Sequence, residues 1–250
     1  MNPKRRYKRG YPVALLVGFE EDHAVIWQVF SQVVKPFHRL EFEGQRRDNK
    51  ALYNFLESVV DALKPALKEG IRSIVITAPA RTTYAQEFIE HIKQHHRYLI
   101  QSKNPNRANF AEVIGSAEDH TKVAELIKSK EFTKSITRTT TEEADQTVAN
   151  LEKHLYNDNN SIILYSINEI EDMIYTRKKD KTHRNYLLLT DNFLAGSKQK
   201  NRIHRLLQIS KNKKIKTKIV EAETPAGNRI QQFGGIVFFA IPYTQDLDRT

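Results

Sequence analysis

The sequence predicts an α/β protein of two domains, each a mixed sheet with flanking helices. Three observations predict it. Apolar, β-branched runs alternate with segments of helical period in both halves, the pattern of sheets covered by helices. The length of 250 residues suits two ordinary domains. A polar, Thr-rich stretch from Lys130 to Thr141 divides two periodic blocks, so a central domain is expected over 11–135 and a C-terminal domain over 136–250.

The elements follow in order. Residues 1–10 form a basic arm. Val13 to Phe19 and Ala24 to Val34 read as two strands joined by the polar turn Glu20 to His23, with a break at Pro36. Lys50 to Leu67 carries Leu52, Phe55, Leu56, Val59, Val60, Leu63 and Leu67 at helical spacing, and Gly70 stops it. Ile71 to Ala78 is a buried strand. Thr82 or Thr83 caps a second helix whose apolar face holds Phe88, Ile89, Ile92 and Leu99. A short strand, Phe110 to Ile114, and a short helix, His120 to Ser129, complete the first half. In the second half, Thr141 to Tyr156 and Ile167 to Tyr175 are helical, with a short apolar segment, Ser161 to Tyr165, between them. Then come a basic loop from Arg177 to Arg184, a strand Tyr186 to Thr190, a helix Ser197 to Ser210 and a strand Lys216 to Val220. The polar stretch from Pro225 reads as a turn feeding the final strand, Gly235 to Ile241.

Composition narrows the function. With 39% apolar and 28% charged residues the chain can bury a core, which excludes global disorder. Lys and Arg number 40 against 30 Asp and Glu, a formal charge of +10 that favours a polyanionic partner, most simply RNA. The basic residues cluster at Lys4, Arg5, Arg6, Lys8 and Arg9, at Arg46 and Arg47, in the loop from Arg177, and around Lys198, Lys200, Arg202 and Arg205, with Tyr175, Tyr186 and His204 interleaved. Such clusters suit phosphate contacts and stacking on bases, and equally suit a solvated charged face. Cysteine is absent, which excludes disulfides, zinc–thiolate sites and Cys nucleophiles. The basic start followed by Tyr11 to Val17 mimics a signal peptide, but the apolar run is short and Glu20-Glu21-Asp22 follows it. No run approaches the roughly 18 apolar residues of a membrane span, so no membrane contact and a cytoplasmic location are expected.

Other chemistry is sparse. His91 and His95 lie four apart, on one face of the second helix, with His96 beside them. A metal would need a third ligand, and no His-Glu-x-x-His spacing is present, so a solvated helix face and no metal are expected. Asp22, Asp48, Asp61 and Asp191 show no nuclease spacing and read as turn or cap residues. No phosphate-binding or dinucleotide fingerprint occurs, and no cofactor is expected.

The stretch Pro225-Ala226-Gly227-Asn228-Arg229-Ile230-Gln231-Gln232-Phe233-Gly234-Gly235-Ile236-Val237-Phe238-Phe239-Ala240 resembles the closing segment of the C-terminal domain of archaeal and eukaryotic release factors and of Pelota. Tyr186-Leu187-Leu188-Leu189-Thr190-Asp191 looks like the strand-Asp element of the same domain, and the first half looks like the superfamily's central domain. The resemblance covers about residues 11–241. Arg9 to Leu16, Lys50 to Phe55, Lys68 to Ile74 and Asn201 to Leu206 look most like the short archaeal Vms-like peptidyl-tRNA hydrolases. The resemblance implies a ribosome-associated release or rescue factor that frees nascent chains from tRNA on stalled or split large subunits. It implies tRNA and rRNA as ligands, and a translational or splitting ATPase as a candidate partner. Nothing here looks like the decoding domain of release factors, so independence from stop codons is expected.

In that superfamily the loop between the second strand and the first helix of the central domain carries Gly-Gly-Gln, or Gly-x-x-Gln in the Vms-like branch. Here it reads Glu43-Gly44-Gln45-Arg46-Arg47-Asp48-Asn49, with a Gly and an adjacent Gln but neither full motif. The resemblance implies that Gly44 allows close backbone approach to the ester, that Gln45 positions water or steadies the leaving oxygen, and that Arg46 and Arg47 hold RNA phosphates. Two readings stand at this point: a hydrolase with a degenerate loop, and a non-catalytic Pelota-like module that binds ribosome or tRNA. An RNA nuclease is a weaker third.

Overall fold

The computed structural model describes residues 11–31, 33–101, 107–157, 161–176, 182–197 and 199–242. The chain divides into two compact units, 1–140 and 141–250.

The first unit holds a five-stranded sheet. Its strands are β1 (Pro12–Phe19), β2 (His23–Phe30), β3 (Val34–Glu41), β4 (Ser73–Ala78) and β5 (Asn109–Ile114), in the order β3-β2-β1-β4-β5. The pairs β1–β2 and β2–β3 are antiparallel, while β1–β4 and β4–β5 are parallel. Side chains alternate between the faces of a strand, so one apolar strand can feed two cores. Leu15, Val17 and Phe19 of β1 pack with helices α1 (Asn49–Lys68) and α2 (Tyr84–His95), whereas Ala14 and Leu16 lie on the other face. That second face is covered by α3 (His120–Leu126) and by Phe132 at the start of α4 (Lys130–Asn157). Within α1, Phe55, Leu56, Val59, Val60, Leu63, Ala66 and Leu67 are buried; six of them lie on the stripe the sequence spacing predicts, whose seventh member, Leu52, is half-buried.

The second unit holds a four-stranded sheet in the order β6-β9-β7-β8. These strands are β6 (Ile162–Leu164), β7 (His183–Thr190), β8 (Lys216–Val220) and β9 (Ile236–Pro242). Only β7–β8 is parallel. Tyr186 and Leu188 face a core with Val148 and Leu151 of α4, together with Ile230 of α8 (Pro225–Gln232). Leu187 and Leu189 face the opposite core, with Ile170 of α5 (Ile167–Thr176) and Ile203 of α7 (Lys200–Asn212). The architecture is therefore mixed α/β in both units, as the sequence predicts.

Four local readings change. Pro36 does not end the strand region; it lies inside β3. The register slips there, with Ile26 opposite His38 and Trp27 opposite Pro36. Because β3 is an edge strand, a residue without an N–H is tolerated. The helix read from Thr141 begins at Lys130, so the polar stretch forms the first turns of α4, where Thr139 and Thr140 return their hydroxyls to backbone carbonyls one turn back. The segment from Pro225 is not a turn but α8. Pro225 occupies its first turn, where a missing N–H costs nothing, and the Thr224 hydroxyl caps it by accepting from Gly227 N at 3.1 Å. Finally, the helix read from Ser197 begins at Lys200 as α7, and a short helix not read from sequence, α6 (Asp191–Gly196), precedes it.

Candidate functional site

The loop from Phe42 to Asp48 joins β3, not the second strand, to α1, so the candidate hydrolytic segment follows a third strand. Its two ends are fixed. Phe42 is buried against Phe55, ring centroids 4.9 Å apart, and its N–H bonds to Asp22 O at 2.7 Å. At the other end the Asp48 carboxylate accepts from Lys50 N and Ala51 N at 2.9 and 3.2 Å, the usual N-cap. Asp48 N bonds to Gln45 O at 2.8 Å and closes a turn over Arg46 and Arg47.

Arg46 anchors the middle. Its guanidinium donates to Glu21 O at 3.0 Å, Glu20 O at 2.6 Å and Glu87 Oε2 at 3.0 Å. It lies 3.6 Å from the centroid of the Tyr84 ring. A guanidinium laid on an aromatic face and forked onto carbonyls is a firm tie. Arg46 therefore serves the loop's own structure. Its neighbours behave differently. Gln45 and Arg47 are exposed, and their side chains make no hydrogen bond to any described residue. Gly44 has φ +145°, and a Cβ there would meet Ala51 Cβ at 2.9 Å. The loop thus holds a glycine in a conformation suited to glycine, next to a free primary amide and a free guanidinium, on an anchored base.

In the second unit Lys200 and Arg205 are exposed, and Arg205 stands 6.0 Å from the Tyr175 ring. Arg202 is engaged by the fold: it pairs with Glu171 at 2.6 Å and donates to Asn168 and Gln199. This hydrogen-bonded pair holds the Glu171 carboxyl below the usual carboxylate range. Lys4, Arg5, Arg6, Lys8, Arg9 and Lys198, and most of the basic loop from Arg177, lie outside the described residues. The aspartates read as structural all have such partners. Asp22 bonds His23 at 2.6 Å, Asp61 pairs with Lys64 at 2.5 Å, Asp48 caps α1, and Asp191 accepts from Ala222 N at 2.8 Å.

The three histidines do not form one solvated face. His95 is exposed, but His91 and His96 are buried, at 6% and 9% exposure. Both aim Nε2 at one carboxylate oxygen, Glu57 Oε1 in α1, at 3.1 and 2.8 Å. Burial pushes the His91 imidazole below its usual value despite the opposing Glu57 charge. Burial works to raise the Glu57 carboxyl, but the hydrogen bonds and charges of His96 and His91 outweigh it and leave the group low. Sequence reasoning missed Glu57 because it lies 34 and 39 residues from its two partners. No short-range spacing could have found it.

No family description and no curated protein matches this chain. Solved structures do. A structure of ribosome-bound archaeal Pelota with ABCE1 matches at TM-score 0.56 and 15% identity, covering 96% of this chain and 64% of that one. Dom34 of S. cerevisiae, described as a translation termination-like factor interacting with Hbs1, matches at TM-score 0.49 and 18% identity, covering 94% of this chain and 65% of that one. The chain thus spans just under two thirds of the length of these structures. Its fold is similar to that of the archaeal Pelota in the ribosome-bound structure.

Proposed function

We propose that this protein is a ribosome-associated release or rescue factor of the Vms-like kind, which hydrolyses peptidyl-tRNA with the 43–49 loop. One observation carries the reading: a loop tied down by Arg46 presents Gly44 and the free Gln45 amide to solvent. The fold shared with ribosome-bound Pelota and the +10 charge support a ribosomal partner, the large subunit with its tRNA and rRNA. The pairing of Pelota with ABCE1 in that assembly motivates a splitting ATPase as a second partner. Among the described residues no helix is long and apolar enough to cross a membrane, in keeping with action at cytoplasmic ribosomes.

The reaction adds water across the ester between peptide and ribose. The water oxygen bonds to the carbonyl carbon, the bond from that carbon to the 3′ oxygen breaks, and a water proton ends on the 3′ oxygen. With no strong base in the loop, the chain works by placement. The Gln45 amide orients the water or donates to the leaving oxygen, and Gly44 lets the backbone come close. A specific feature favours the rival, a non-catalytic binding module: one Gly adjacent to Gln is less than either full motif.

The test is peptide release from peptidyl-tRNA on purified large subunits. Gln45→Ala and Gly44→Ala cut release at least about tenfold, roughly 1.4 kcal/mol of barrier, while subunit binding is kept. Undiminished release by Gln45→Ala removes Gln45 from the site. No release by the wild-type protein on subunits it demonstrably binds decides for the rival.

A further inference from the structure

We infer that Glu57, His91 and His96 form a binding site for a divalent transition-metal ion, zinc being the best fit, that ties α1 to α2. The three donor atoms, one carboxylate oxygen and two imidazole nitrogens, all lie within 4.8 Å of one another. Two are already 3.1 and 2.8 Å from the third. Ligands around tetrahedral zinc, at about 2.0–2.2 Å from the ion, stand roughly 3.3 Å apart, so the two Glu57–imidazole distances need open by only a few tenths of an ångström, while the two imidazole nitrogens lie within 4.8 Å of each other.

The backbone explains how two histidines five apart come to one point. An unbroken helix would carry residue 96 past the face of residue 91. His96 instead leaves the helix, with φ −125° and ψ 44°, and a 3-10 turn over Arg97–Leu99 follows. That break turns the His96 ring back beside His91, ring centroids 5.6 Å apart.

The donor set is selective. Two neutral imidazoles and one carboxylate suit zinc and its first-row neighbours and suit magnesium or calcium poorly. To bind, each ring gives up its Nε2 proton, either to solvent or by moving to the Nδ1 tautomer. The site keeps an access route: the Glu57 side chain is 26% exposed and Tyr53 beside it 41%. Three protein ligands with solvent access leave a fourth position for water. Tyr53 leans on His91 and on His95, ring centroids 5.1 and 5.0 Å apart, and braces the ligand side of α2. The site rests on none of the residues assigned to the 43–49 loop.

The test uses the untagged full chain, stripped with chelator. Zn2+ is titrated by calorimetry, and Co2+ serves as a visible-absorption and paramagnetic probe. The expected result is one ion per chain, a higher Tm with Zn2+, and Co2+-shifted ring signals assigned to His91 and His96. Glu57→Gln, which keeps an oxygen to accept both ring N–H groups, weakens Zn2+ binding at least tenfold. His96→Ala abolishes it, and His95→Ala leaves it unchanged. Absence of stoichiometric uptake by the wild-type chain overturns the inference. So does uptake undiminished in Glu57→Gln, or Co2+ shifts on other histidines only, a reading that needs no variant to fold.

Discussion

Arg46 and Arg47 are neighbours with the same charge and opposite fates. Arg46 lies on Tyr84 and bonds Glu87 and two carbonyls. Arg46→Ala therefore strips three acceptors and a stacked ring at once, and should cost about 1.5–3 kcal/mol by denaturant unfolding. Arg47 makes no such contact, so Arg47→Ala should leave stability within about 0.5 kcal/mol. If Arg47 meets a phosphate, the same change lowers the salt slope of ribosome binding by about 1. A pH effect belongs at this scale too. Glu171 is held low by Arg202, its folded value lying below the ordinary 4.5. Its contribution is therefore fully present above the unfolded value and lost as pH falls through the lowered folded one. Stability of the wild type should fall more steeply than that of Glu171→Gln between about pH 4.5 and the acid limit of unfolding. Parallel curves would show the pair to be neutral.

Among the elements, α8 shows how one residue type serves different needs. At Gly227 a Cβ would stand 2.0 Å from Glu221 O, so the first turn of α8 can approach the chain after β8 only as glycine. Gly227→Ala should destabilise by about 1–3 kcal/mol or more, through displacement of backbone. At Gly234, φ +91° is the obstacle and no atom lies within 4 Å, so Gly234→Ala should cost about 1–2 kcal/mol, from backbone strain alone. Gly196 ends α6 with open space and no positive φ, and Gly196→Ala should be neutral or mildly stabilising. Chemical denaturation of the three variants separates the causes. These elements also show what local rules can and cannot read. The α1 stripe was legible because seven buried apolar residues repeat at helical spacing. Helix α8 was not, because Gly227 and Asn228 are poor helix formers, and its buried Ala226 and Ile230 join a core with Leu188 and Phe239 that no local spacing shows. Strand β3 was hidden by Pro36, since a sequence does not announce which strand lies at an edge.

For the whole molecule, the charge of +10 is the property with the longest reach. If exposed Lys and Arg neutralise phosphates, log affinity for ribosomal subunits should fall linearly with log salt, by about 0.9 per phosphate contacted on a duplex and about 0.7 on a single strand. A slope near zero would remove RNA as the partner. The division at Thr140 falls inside α4, whose early residue Phe132 joins a core of the first unit and whose later residues Val148 and Leu151 join one of the second. A helix of this kind reads in sequence as a polar join, because its threonines are weak helix formers that only tertiary contacts stabilise.

What the sequence by itself determined is whatever repeats at short range: two α/β blocks, the apolar strands, the α1 stripe and the place of a Gly-Gln pair just before a helix. What the tertiary structure decided is which polar side chains meet. The anchoring of Arg46 depends on Glu20, Glu21 and Glu87, which lie 26, 25 and 41 residues away. The cluster of Glu57 with His91 and His96 depends on a helix that breaks at residue 96. Hydrogen bonds and ligand geometry act over about 3 Å in space and leave no period along the chain. That is why the candidate loop and the histidines could be found from sequence while the loop's anchor and the histidines' partner Glu57 could not.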